Sequence, residues 1–188
     1  SKKITTVAQK THKIQVIDLA EHKAKFLAAK AALKLIQNTK RTLSHAYAKA
    51  KGIVGHELLV VEKPIYGELY DSKERKYKST TIGYRDELII PMQNLQGEIV
   101  GVQKITPTGQ KRFLAGTAKK GAFYTINAVN DSKTIYLCEG WATGLSIAEV
   151  TGCEVRVCFD AGNLKNVAKE IKGEVIVAGI SVGAPKTD

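Results

Sequence analysis

The chain has 188 residues, 44% of them hydrophobic and 25% charged, with a formal net charge of +11, enough apolar material for the core of one domain or two small ones. No run of about 18 apolar residues occurs, and Ser1-Lys2-Lys3-Ile4-Thr5 lacks the apolar core of a secretory leader, so a membrane-spanning helix is excluded and a cytoplasmic protein is expected. Residues 1–60 carry 12 Lys/Arg against 3 Asp/Glu, residues 61–133 carry 12 against 8, and residues 134–188 carry 5 against 7, so the basic excess lies upstream and points either to a polyanion partner, nucleic acid first, or to a lysine-rich solvated face.

The chain does not begin with Met, as expected of a sequence that starts inside a longer protein or after a tag. Residues 1–15 are polar and basic with weak periodicity and read as a mobile arm or a frayed helix. From Asp18, which forms a capping-box pattern with Glu21, apolar and basic positions alternate at helical spacing to about Ile36. Asn38-Thr39 ends that helix. A short second helix begins at Thr42 or Ser44 and runs to Ala50, with Gly52 closing it. Residues 53–133 read as β-rich. Leu58 to Val61 is a strand stopped by Pro64, and Gly67 to Ser79 is a polar loop or exposed hairpin. Leu88 to Met92 is a strand followed by an Asn94–Gly97 turn, and Glu98 to Ile105 alternates with period two as a half-buried strand does. Short strands begin at Lys111 and Lys119. From Thr134 strands near 134–138, 154–159 and 174–178 alternate with helices near 142–150 and 164–171, which implies a parallel sheet; Gly152 and Gly173 stand where helix C-caps belong. The expected division is therefore 1–52, a helical region; 53–133, a small mixed α+β basic subdomain; and 134–188, an α/β unit.

Two acids end adjacent strands of that last unit, Glu139 after Ile135-Tyr136-Leu137-Cys138 and Asp160 after Val155–Phe159. Open α/β sheets place their reactive groups at this carboxyl edge. Asp160 could hold a metal or bond the backbone of its own loop together with Asn163. Cys138, Cys153 and Cys158 are odd in number, have no metal spacing and read as buried small hydrophobes of a reducing compartment. His12, His22, His45 and His56 also lack ligand spacing and read as surface or packing residues. No G-x-x-x-x-G-K-[ST], G-x-S-x-G or H-E-x-x-H motif occurs.

The segment L-C-E-G-W-A-T-G-L-S-I-A-E-V-T-G, followed by V-C-F-D-A-G-N-L, resembles the Toprim domain of plasmid and phage primases, in which an "EGYATA" segment precedes "FDAGNL". Upstream, His45 to Ile53, Glu87 to Val102, and Lys111-Arg112-Phe113-Leu114 with Lys120-Gly121-Ala122-Phe123-Tyr124 resemble successive motifs of bacterial-type primase cores. The resemblance covers about residues 40–179. It implies a partial Toprim fold, primer synthesis from nucleoside triphosphates on single-stranded DNA during plasmid or phage replication, and Mg2+ (or Mn2+) as cofactor. It makes Glu139 the catalytic acid, as a metal ligand or in proton transfer, and Lys104, Lys111, Arg112, Lys119 and Lys120 a ridge along the template, while Asp160 stays open between a further metal ligand and a bond to its own loop. A replicative helicase is a partner that the resemblance admits. Phe123 and Tyr124 read as core before base-stacking, and Trp141, which replaces the family's Tyr, as a packing residue. One departure stands out: where the family carries Asp-x-Asp after its third strand ("VIAGDND"), this chain has Ile180 and Val182, and its only later acid is Asp188. The alternative expectation is therefore a catalytically degenerate Toprim module that binds nucleic acid, or a chain whose tail is truncated or altered; a Toprim nuclease fits the upstream motifs less well.

Overall fold

The computed structural model describes residues 2–178, and of residues 2–18 the helical backbone alone. Helix α1 spans Lys2–Gln37, so Asp18 lies inside it and is not its cap. The physical reason is the absence of any breaker: no Gly or Pro occurs before Gly52, so nothing halts propagation. At its end the Asn38 amide and side chain both donate to the Lys34 carbonyl, at 3.2 and 2.8 Å, and the Thr39 hydroxyl donates to Ile36 O at 2.8 Å. These bonds satisfy carbonyls that have no partner within the helix. Ala24, Leu27, Ala28, Ala31, Ala32 and Leu35 form its buried stripe.

That stripe packs on a five-stranded antiparallel sheet of order β1-β2-β5-β6-β7, comprising β1 (Lys40–Thr42), β2 (Leu58–Val60), β5 (Leu88–Gln93), β6 (Ile99–Ile105) and β7 (Lys111–Phe113). Ala31, Ala32 and Leu35 meet Val61, Ile89, Val102 and Leu114 there, together with Ile65, Leu69 and Ile82 of a hairpin made by β3 (Ile65–Asp71) and β4 (Lys76–Gly83). Of the two readings left open for residues 67–79, the hairpin is the one observed.

The hairpin turn is held by one carboxylate. Asp71 accepts from the Glu74 and Lys73 amides, both at 3.0 Å, and from Lys78 Nζ at 2.7 Å. The Glu74 amide first, and then the Lys78 ammonium, hold its carboxyl down at about 2. Because the folded value lies below the ordinary 3.8, the stabilisation is complete above that pH and is lost as pH falls through about 2. The Lys73 and Glu74 amide resonances should therefore titrate with a midpoint near 2 rather than near 4, and Asp71→Asn should abolish the transition.

The second sheet has order β11-β9-β10-β8, with β8 (Tyr124–Ile126), β9 (Ile135–Cys138), β10 (Glu154–Val157) and β11 (Val175–Val177). β9 pairs parallel with both β10 and β11, as the strand–helix alternation predicts, while β8 is antiparallel to β10. Helices α3 (Trp141–Thr151) and α4 (Ala161–Ala168) follow β9 and β10. Gly152, at φ 67°, caps α3 as expected, whereas the C-cap of α4 is Lys169 and not Gly173. Gly144 of α3 lies flat on the sheet: a Cβ there would stand 2.7 Å from Val157 Cγ2.

The two sheets share one core. Tyr47 and Ala48 of α2 (Ala46–Ala50), with Leu58, Leu88, Ile90 and Ile105, pack against Cys138, Trp141, Leu145, Val155 and Val157. Trp141 is thus a packing residue, 3% exposed and 6.4 Å from the Tyr47 ring. Leu88 and Ile90 face this core while Ile89 faces α1, which explains why β5 reads as an unbroken apolar run. Backbone pairing also crosses both boundaries expected from composition, β1 with β2 across residue 52 and β8 with β10 across residue 133. No described helix is long and apolar enough to cross a membrane.

Candidate functional site

The carboxyl edge of the second sheet brings the two strand-end acids together. Pairing of β9 with β10 continues past the strands, with Cys158 N donating to Cys138 O at 2.7 Å and Phe159 N to Glu139 O at 3.0 Å. Glu139 and Asp160 therefore leave neighbouring parallel strands side by side, and both are exposed. Gly140 follows Glu139 as the residue before α3, with φ −106° and ψ 141°. Any residue can adopt that conformation, so the glycine is not needed for a sharp turn. Lys111 reaches the same turn: its Nζ would stand 3.9 Å, ordinary contact, from a Cβ at this position.

Asp160 caps α4, its Oδ1 accepting from Asn163 N at 2.8 Å. The local reading of Asp160 is thus observed, and its second oxygen makes no hydrogen bond among the described residues. Just before it, Phe159 holds φ 72°, a left-handed conformation that costs a non-glycine residue about 1–2 kcal/mol. Its ring meets Phe113 edge to face, with centroids 6.1 Å apart.

The basic residues separate into four placements. Lys111 and Phe113 alternate onto the face of β7 that meets the acid edge, and Lys119 Nζ stands 5.0 Å from the centre of the Phe113 ring. Arg112 is exposed on the other face of β7 and bonds Gln110 at 3.2 Å. Lys120 lines an open groove of about 540 Å3 with Asn94, Gln96, Asn166 and Lys169. Lys104 departs from the expected ridge altogether. It is 6% exposed, donates to Ile82 O at 3.0 Å, pairs with the buried Glu87 at 3.5 Å and lies under the Tyr84 ring. Both faces of β6 are covered, so its cation is neutralised inside the fold.

One residue that the sequence left as a loop partner of Asp160 does more than that. Asn163 is 4% exposed; its Oδ1 accepts from Gly121 N at 2.7 Å, and its Nδ2 donates to Ala122 O at 2.8 Å and Cys158 O at 2.9 Å. This single amide ties the loop that carries Lys119 and Lys120 to the turn that carries Asp160. The signal was present only as an Asn in a β–α turn, since two of its three partners lie about forty residues upstream. His45 is likewise structural: its Nδ1 caps α2 by accepting from Tyr47 N, and its Nε2 bonds Asp86 O at 2.8 Å.

No family profile and no solved structure matches the chain. Among curated proteins, one DNA primase TraC of Escherichia coli is 29% identical over 171 residues, which is 85% of this chain and 12% of that protein. A second DNA primase TraC of Escherichia coli is 31% identical over 98 residues, 48% of this chain and 9% of that protein. The similarity is to a primase. The chain spans only about an eighth or less of the length of these relatives.

The donors on the acid edge of this primase-like chain are hard carboxylate oxygens. They suit a hard divalent ion such as Mg2+, which binds through one or two carboxylates, waters and substrate phosphates. Among the described residues no group of three or more His, Cys, Asp and Glu comes together. Ile180 and Val182, at the positions of the Asp-x-Asp pair, and the terminal Asp188 lie outside the described residues. The three cysteines are buried and free. Burial pushes the thiol of Cys138 up to about 11 and that of Cys158 up to about 12, so both stay protonated at neutral pH.

Proposed function

We propose that this chain is the nucleotidyl-transfer core of a plasmid- or phage-type primase of Toprim architecture, working in the cytoplasm and joining ribonucleotides on single-stranded DNA. The observation that supports it most is the juxtaposition of Glu139 and Asp160 on one sheet edge with Lys111 reaching the same turn, in a chain similar to DNA primases. Glu139 accepts the proton of the attacking hydroxyl or holds the ion, and Asp160 offers its free oxygen as a further ligand. A bound Mg2+ would supply charge neutralisation at the triphosphate. Lys111, Lys119 and, further out, Arg112 and Lys120 attract the phosphates of template and nucleotide without regard to sequence. A replicative helicase would deliver the single strand.

A second reading, a binding module that has lost its chemistry, is favoured by Ile180 and Val182 in the sequence. Primer synthesis with ribonucleotides, a single-stranded template and Mg2+ separates the two. Loss of a catalytic acid commonly costs about 100-fold or more, so Glu139→Gln should abolish synthesis and divalent-ion binding while leaving oligonucleotide binding in place. A wild-type chain that binds oligonucleotide but neither binds Mg2+ nor makes primer would establish the module instead.

A further inference from the structure

The aromatic pair beside the acids has chemistry of its own. A left-handed residue at the end of β10 is served at low cost by Gly, Asn or Asp, yet the chain places a phenyl ring there, at Phe159. That backbone, tied by its amide to Glu139 O, sets Phe159 in the chain directly before Asp160 and beside the Glu139–Gly140 turn. Phe159 rests on the shared core along one side and is only partly buried. Phe113, also partly buried, meets it edge to face, and Lys119 stands over Phe113. Lys111 reaches the Glu139–Gly140 turn from the same strand face. A flat π surface, ammonium groups beside it and carboxylates suited to a divalent ion together fit one class of ligand, a nucleotide, with its base on the ring and its phosphates on the lysines.

We propose that Phe159, braced by Phe113, is a nucleobase-stacking residue of this site. The inference rests on the primase-like reading and adds to it the group that recognises the base. Stacking is indifferent to base identity because every base has a π face, which matches a protein that copies any template. The base could belong to the template strand or to the incoming nucleoside triphosphate.

The experiment compares ligands with and without a base on the full chain. Labelled oligo-dT is titrated against an abasic oligomer of equal length, and ATP against inorganic tripolyphosphate, for wild type, Phe159→Leu, Phe159→Tyr and Phe113→Leu. Wild type should bind the base-containing member of at least one pair about tenfold more tightly. Phe159→Leu should erase that preference without weakening the base-free ligand, Phe159→Tyr should keep it, and Phe113→Leu, which leaves the strained turn intact, should reduce it. A preference erased in the oligomer pair assigns the template base, and one erased in the ATP pair the incoming nucleotide. Equal affinity within both pairs for wild type, or a preference that survives in Phe159→Leu, would overturn the stacking role while leaving the primase-like reading intact. Failure of wild type to bind any of the four ligands would overturn both.

Discussion

Asn163→Ala is expected to lower stability by about 3 kcal/mol, because three backbone groups lose their partner at once and each buried unsatisfied group costs about 1–3 kcal/mol. The groups are Gly121 N, Ala122 O and Cys158 O. For a chain of this size that is a fall in melting temperature of about 6–12 °C. Asn163→Asp should not rescue it: the acceptor for Gly121 N survives, but a carboxylate oxygen would then face the Ala122 and Cys158 carbonyls. Thermal unfolding followed by circular dichroism checks the magnitude. Hydrogen exchange at Gly121 and Asn163 checks the cause, since the loss of protection should concentrate where the 119–122 loop meets the β10–α4 turn. A fall below 1 kcal/mol would mean that the two segments are held by other contacts.

Lys104→Met should cost about 3–5 kcal/mol, the usual penalty for leaving one member of a buried ion pair behind. Glu87 is 3% exposed and would keep only the Tyr84 amide, at 2.8 Å, against its charge. Adding Glu87→Gln retains that acceptor and removes the unpaired charge, so the double variant should recover about 1 kcal/mol or more relative to Lys104→Met, and the cycle should show a coupling of about 0.5–3 kcal/mol. The same variants separate a structural cation from an interfacial one. The double variant should leave the salt dependence of single-stranded DNA binding unchanged. Lys111→Ala and Lys119→Ala should each lower the slope of log affinity against log salt by about 0.7. A reduced slope in the double variant would return Lys104 to the binding surface.

The same two residues show what a single sequence can and cannot display. Strand–helix alternation from Ile135 to Val177 is local, carried by periodicity and by Gly152, and it led directly to the parallel pairing of these strands, though not to their order, and to Glu139 and Asp160 on one edge. Burial of Phe123, Cys138 and Cys158 was legible for the same reason, since each sits in an apolar run, while that of Trp141 and Cys153 followed from their places at the start of a helix and beside a strand. Lys104 was not. Its period-two strand announces one buried face, and only the packing of α1 on one side and of α2 and α3 on the other buries both. Its partner Glu87 directly precedes β5 and is brought beside Lys104 only by the pairing of Leu88 with Ile105 and Ile89 with Lys104. Asn163 escaped because its bonds span forty-one and forty-two residues. The assignment of β8 to the second sheet was equally hidden, since Tyr124–Ile126 reads like any short strand and antiparallel pairing with β10 leaves no mark on its own residues. The extent of α1 is a different case: weak amphipathicity upstream of Asp18 suggested an arm, but a breaker-free segment continues a helix that tertiary packing has already nucleated.

The two most deeply buried thiols have a practical consequence. Cys138 and Cys158 are each 0% exposed, and with so little thiolate at neutral pH they resist alkylation for as long as the sheet stays closed. They lie at the ends of the strands from which Glu139 and Asp160 project, Cys138 against α3 and Cys158 against α4, so a reagent reaches them only when this edge of the fold opens. Their rate of modification is therefore a clock for local opening, running at the place where the carboxylates must hold still. Cys153, 7% exposed near the opposite end of β10, marks time for the other end of the same strand.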